Sequence, residues 1–335
     1  MIRQDYLDDG HVKRFIVWMG QHLQTGSRLG HGYARPGLAP LHFANLAAAF
    51  ELYEWDFSFY RIDGSRCAGS SFAENAAVLG ELQQKLRSAE AVGADAATRD
   101  AAIEVVRWGG VAPHNENWLR ANVSGLAACL ARVRTALTQE DDAIDLGKDL
   151  RFNAGMTKVY SLLLDHFVIY DSRVAGALAW FVAAWAGEGP VPDTLRFPCM
   201  AAKEDPGAAR RKLRNPRPGR GGFPLLGARP RAHAKWNLRA SWIIRALLEA
   251  HPVETGRGTA DSSGRHAGSG FRDPRRPKNR REIVPLLATI SIALARPDRW
   301  SRASPGTEIR TSVAIRRSGF ASWQENRGKP CALRR

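Results

Sequence analysis

The strongest constraint on the fold is a succession of apolar stripes at helical spacing, with almost no alternating β-type run between them. Residues 11–23 and 44–53 carry such stripes, the second with Leu46, Phe50 and Leu52 among alanines. Residues 71–91 place Leu79, Leu82 and Leu86 on one face, with Gly93 beyond the end. Thr98 is expected to cap a helix whose Ile103, Val106 and Trp108 stop at Gly109-Gly110. Residues 124–137 repeat the pattern from a serine cap, through Leu126, Leu130, Val133 and Leu137. Only residues 57–62 invite a short strand. Further on, 153–164 reads as a helix, 167–170 as an extended link, and 172–185 as a second helix opened by Asp171, with Trp180, Phe181 and Trp185 at core spacing. Residues 190–230, rich in proline and arginine, read as loop with a short helix near 201–213. A last amphipathic helix over 232–250 carries Trp236, Leu238, Trp242, Ile243 and Leu247. So few strands argue against a doubly wound nucleotide-binding sheet. The expectation is a mostly α, two-lobed helical fold, with a helical region over 1–145, a second domain over 146–250 and a tail over 251–335.

Charge divides the chain the same way. The 49 Lys+Arg and 33 Asp+Glu leave a formal net charge of +16. Residues 1–195 are net −5, residues 196–250 net +10 and residues 251–335 net +11. Such an asymmetry points to a polyanion or an anionic membrane surface. The tail is rich in Arg, Ser, Gly and Pro and is expected to be disordered, because it offers too little apolar surface to offset its ordering entropy. An out-of-frame extension would have the same composition. No apolar run reaches the roughly 18–20 residues of a spanning helix; residues 283–295 come nearest and contain Pro285. Acidic residues near the start replace the apolar stretch of a signal peptide, so a cytoplasmic protein is expected. Cys67, Cys129, Cys199 and Cys331 are scattered, which indicates neither a disulfide framework nor a zinc knuckle. No histidine pair has metal-ligand spacing and no phosphate loop is present, so no metal and no cofactor are expected.

The chemistry concentrates between Gly155 and Val174. Lys158 lies near the start of its helix, where the dipole and the apolar Val159 and Leu162 disfavour its protonated form. A neutral lysine is a nucleophile toward an electrophilic carbon. Asp171, after Val168-Ile169-Tyr170, opens the next helix and offers a fixed carboxylate able to support a positive sugar-like transition state. Alternatively, Asp171 is an ordinary N-cap and Lys158 a solvated helix residue.

Gly155-Met156-Thr157-Lys158-Val159, followed by an apolar helix and Ile169-Tyr170-Asp171-Ser172-Arg173-Val174, resembles the helix-hairpin-helix superfamily of DNA glycosylases, in its 8-oxoguanine-glycosylase-like branch. It is similar as well to bacterial proteins of this fold, some of them associated with antiviral defence. The segment Trp236-Asn237-Leu238-Arg239-Ala240-Ser241-Trp242 looks like their closing helix. The resemblance spans about residues 100–250. It implies that Lys158 attacks the sugar C1′ and forms a Schiff base while Asp171 supports the developing charge. Two features depart from the pattern: the lysine and aspartate are closer in sequence, and Ala154-Gly155-Met156 lacks the second glycine of a phosphate-binding hairpin.

The resulting expectation is a monomeric DNA glycosylase for base-excision repair or defence, which flips a damaged or modified base out of duplex DNA. Arg173, Arg210, Arg211, Lys212, Arg214, Lys235 and Arg239 are expected on the DNA-facing surface. Trp108, Asn115 and Trp118, read as a polar-aromatic loop, are expected at the base pocket, although both tryptophans also suit a core. The alternative is a catalytically inactive DNA-binding module of a defence or restriction system.

Overall fold

The stripes bury much as their spacing requires. In the computed structural model, described over residues 1–23, 29–33, 41–51, 54–145, 151–201 and 213–251, the chain is predominantly helical. Its elements are α1 (Arg3–Asp8), α2 (Gly10–Leu23), β1 (His31–Tyr33), β2 (Leu41–Phe43), α3 (Leu46–Glu51), β3 (Glu54–Tyr60), β4 (Arg66–Ser71), α4 (Phe72–Ala91), α5 (Asp95–Trp108), α6 (Ala112–Ala121), α7 (Leu126–Thr138), α8 (Met156–Leu163), α9 (Ser172–Ala186) and α10 (Pro230–Ala250). The expected short helix near 201–213 falls mostly outside the described residues, as do Arg210, Arg211, Lys212 and the tail from residue 252.

Helix α4 illustrates the local logic. Ser71 accepts from the Glu74 backbone N–H while the Glu74 carboxylate returns to the Ser71 N–H, a capping box that fixes the start. Leu79, Leu82 and Leu86 then bury one face, each worth about 1.5–3 kcal/mol against exposure. Strands β3 and β4 form an antiparallel hairpin that buries Phe57 and Phe59, with an irregularity between Glu54 and Phe57. That extra residue is a bulge at Trp55 and Asp56. Strands β1 and β2 make a second two-stranded ladder.

Three local expectations are corrected. Helix α5 begins at Asp95, and Thr98 is buried inside it rather than capping it. Ser124 does not cap α7; the Asp95 carboxylate does so from the neighbouring helix, accepting from Gly125 N at 2.7 Å and Ala127 N at 2.9 Å. Residues 112–121 are helix α6, not a loop. Pro113 suits its first turn, and Glu116 is held in place by the Arg107 guanidinium fork at 2.7 and 2.9 Å.

Packing crosses residue 145 in both directions. Helices α1 and α2 lie against α10, and α2 also against α9, while α8 packs on α4 and α5. Arg87 of α4 donates to the Leu162 carbonyl at 2.7 Å, where the last turn of α8 has no intrahelical donor.

Candidate active site

The turn before α8 is held by polar side chains. Asn153 Oδ1 accepts from the backbone N–H of Gly155 and Met156, both at 2.9 Å. Thr157 N donates to the Asn153 carbonyl, and Lys158 N to that of Gly155. All four N–H groups are therefore engaged internally, so this turn offers a phosphate no backbone donors from Gly155 to Lys158. Asn115 closes the same turn. Its Oδ1 accepts from Asn153 Nδ2 at 3.0 Å and Arg151 Nε at 3.1 Å, and its Nδ2 donates to the Val111 carbonyl. A Cβ at position 155 would fall on Asn115 Nδ2, which explains the glycine.

Lys158 enters the protein from this turn and is 3% exposed. Its methylenes cross Gly109 at the end of α5 so closely that a Cβ there would lie 2.7 Å from Lys158 Cε. Its Nζ donates to the Ala154 carbonyl at 3.4 Å and faces Asp171 Oδ2 at 3.5 Å. Burial pushes the ammonium below the ordinary lysine range; the Asp171 charge opposes this and the Arg173 charge adds to it. The lysine is therefore not a solvated helix residue.

Asp171 divides its carboxylate between two tasks. Oδ1 caps α9, accepting from Arg173 N at 2.9 Å and Val174 N at 3.2 Å; Oδ2 faces the lysine. Burial raises the carboxyl, but the charges of Lys158 and Arg173 and the two backbone N–H groups together hold it below the ordinary aspartate range. The result is an amine biased toward neutrality beside a carboxylate biased toward charge.

The link between the two helices takes its hydrogen bonds from α10. Val168 N donates to Ser241 Oγ at 3.1 Å and Asn237 Nδ2 donates to the Val168 carbonyl at 2.7 Å. His233 Nε2 lies 2.8 Å from the Tyr170 carbonyl. Burial drops the His233 ring to about 4, so it is neutral near pH 7 and donates there through Nε2. Residues 233, 237 and 241 fall on one helical face. This polar stripe on the buried side of an amphipathic helix is the sequence signal that could have revealed it.

The expected surface residues separate. Arg173 stands beside the pair, its guanidinium 5.8 Å from the centroid of the Trp55 ring. Arg214 is 9% exposed and donates to Ser172 Oγ at 3.0 Å. Arg239 is 6% exposed, bonded to Asp142 Oδ2 at 2.7 and 2.6 Å and flanked by the rings of Tyr6 and Trp236. Neither Arg214 nor Arg239 forms a DNA-facing surface, because both side chains are buried in the fold. Lys235 is half-exposed, 3.9 Å from Asp142.

The expected pocket residues are also redirected. Trp108 is core, donating from Nε1 to Asn75 Oδ1 at 3.2 Å and packing at 5.0 Å on Trp55. Asn115 serves the turn, and Trp118 lies beneath the Arg151 guanidinium at 5.8 Å. Trp55 joins the site instead, although its isolated place in the sequence gave no warning. An open surface hollow of about 440 Å³, lined by residues of α7 together with Gln139, Ala143 and Asp145, shares no residue with the pair. Among the described residues no group of three His, Cys, Asp or Glu is placed to hold a metal ion. None of their helices is long and apolar enough to cross a membrane. Comparison with protein-family models, curated proteins and solved structures yields no match to this chain.

Proposed function

We propose that the protein is a DNA N-glycosylase in which Lys158 is the nucleophile and Asp171 its supporting carboxylate, with α8, the 164–171 link and α9 as the helix-hairpin-helix element. The observation carrying this reading is the buried Lys158 Nζ at 3.5 Å from Asp171 Oδ2. The two side chains meet despite their short sequence separation. A buried ammonium with one long carboxylate contact is a poor stabilising device, but it is a suitable source of a neutral amine.

In the proposed reaction the C1′–N bond breaks and its electron pair leaves with the base. Asp171 stabilises the positive charge developing on the sugar, and the lysine lone pair closes the new bond to C1′. The amine then gives a proton to Asp171, the nearest acceptor, and that proton passes to O4′ as the C1′–O4′ bond breaks, which opens the sugar ring and leaves a protonated imine on Lys158. That imine permits elimination of the 3′ phosphate and strand cleavage. Extrusion of the nucleotide is required because C1′ is unreachable in a stacked duplex.

The test is borohydride trapping on duplexes containing oxidised, deaminated, alkylated or hypermodified bases and on a duplex with a preformed abasic site. The expected result is a covalent adduct with wild type and none with Lys158→Gln. An adduct that persists in that variant removes Lys158 as the nucleophile.

A second reading draws on the same burial. An amine only 3% exposed also suits an internal ion pair in a catalytically inactive DNA-binding module. That reading requires DNA affinity, no adduct and no base release across the panel.

A further inference from the structure

Trp55 lies where the pair meets the β3–β4 hairpin. It packs at 5.0 Å on Trp108, whose neighbour Gly109 bears on the Lys158 methylenes. The Arg173 guanidinium, two residues after Asp171, lies over the Trp55 ring at 5.8 Å from its centroid. The indole is only partly buried, and its N–H has no hydrogen-bond partner among the described residues. Its backbone is nonetheless fixed: the Trp55 carbonyl accepts from Asn75 Nδ2 at 2.9 Å, and the Asn75 Oδ1 holds Trp108. The irregularity in the β3–β4 pairing falls between Glu54 and Phe57, at this side chain.

A rigidly seated indole with a face toward a planar cation and an unassigned N–H donor is built to stack a planar polar ring. We infer that Trp55 is the platform on which an everted nucleobase stacks, and that the Arg173 guanidinium occupies this platform in the free protein. A base–indole stack outweighs a partly exposed guanidinium–indole contact, so an arriving base displaces the cation. The displaced guanidinium is then free to meet a backbone phosphate, a contact common to matched and mispaired duplexes. The Trp55 N–H supplies a donor to the base itself. The inference rests on the glycosylase reading only in naming the planar ligand as an everted base.

The experiment compares the affinity of the full chain for two labelled duplexes, one with a mispaired 2-aminopurine and one fully matched, by fluorescence anisotropy. Mispairing lowers the cost of eversion, so wild type is expected to prefer the mispaired duplex by about ten-fold. Trp55→Phe keeps an aromatic face and retains most of that preference. Trp55→Leu fills the space without one and loses it. Arg173→Ala vacates the platform and raises the preference about three-fold. An absent preference in wild type, or one that survives in Trp55→Leu, overturns the platform. A fall in Arg173→Ala matching that of Trp55→Leu overturns the displaced cation. Trapping of wild type on abasic DNA is scored separately. If no adduct forms while the Trp55-dependent preference holds, the glycosylase reading fails and the stacking site stands.

Discussion

Two cation–carboxylate pairs among the described residues, Arg239–Asp142 and Lys158–Asp171, are held in opposite ways. Arg239 meets Asp142 through two nitrogens at 2.6 and 2.7 Å, with aromatic rings of Tyr6 and Trp236 at 4.9 and 5.0 Å. Lys158 meets Asp171 through one contact at 3.5 Å, and its other acceptor is a carbonyl at 3.4 Å. The first pair uses a cation that cannot release its proton and engages it through two nitrogens and two aromatic rings. The second uses a cation that can release its proton and leaves it poorly solvated. One arrangement ties α10 to the segment after α7 and, through the Tyr6 ring, to α1; the other leaves its amine with two long contacts.

Exchanging the partners tests this contrast, and the largest effect is expected at the lysine. Lys158→Gln should abolish borohydride trapping yet leave the melting temperature equal or higher, because the underpaired ammonium is gone while Asp171 keeps two backbone N–H donors and the Arg173 charge. The sign follows from the lowered lysine. Between its folded value and the ordinary 10.5, the unfolded chain holds a proton the folded chain has released, so wild-type stability from this group rises with pH toward 10.5. A variant melting well below wild type at pH 7 would make the lysine a structural fastener.

Arg239→Ala is expected to do the reverse, costing about 3–5 kcal/mol in denaturant unfolding because Asp142 is left buried without its main partner. Adduct formation per folded molecule should hold. Equal losses of stability and trapping would erase the distinction between the two pairs.

Asp171→Asn separates the two tasks of one carboxylate. Asparagine caps a helix nearly as well, so stability should change by less than about 1 kcal/mol, while trapping falls about 100-fold. The pH midpoint of trapping should move down, since the lost charge was raising the lysine. An upward move would mean that Asp171 does not act on Lys158.

Gly109→Ala is milder. The backbone at this position, φ −74° and ψ 0°, accepts alanine, but the new Cβ displaces the Lys158 stem. A loss of about ten-fold in trapping rate with unchanged melting is expected, and an unchanged rate would show that the lysine has room to spare. The smallest effect belongs to Lys235→Ala. Its half-exposed contact to Asp142 at 3.9 Å should contribute less than about 0.5 kcal/mol. Melting that falls as far as in Arg239→Ala would make Lys235 a full partner of Asp142.

The sequence was informative where one local pattern decided the outcome. Leu79, Leu82 and Leu86 declared α4, and Asp171 before Ser172-Arg173-Val174 declared the start of α9. Lys158 and Asp171 were legible as a pair because each sits at a helix start where its chemistry is already biased. Decisions made between distant segments were not legible. Helix α6 read as a polar loop because Glu116 owes its place to Arg107 in α5, and α7 takes its cap from Asp95, 30 residues upstream of Gly125. Charge was the least transferable signal. Counting Arg214 and Arg239 as surface missed that both turn inward.

The polar stripe of α10 also has a consequence in time. Residues 168 and 170 depend for their hydrogen bonds on residues 63 to 73 positions later in the chain. At about 5–20 residues per second of synthesis, Lys158 and Asp171 leave the ribosome several seconds before the helix that fixes their separation. During that interval the nascent chain carries the amine and the carboxylate without the clamp that makes them a pair. The site is therefore completed late in synthesis, after both of its principal residues have been made.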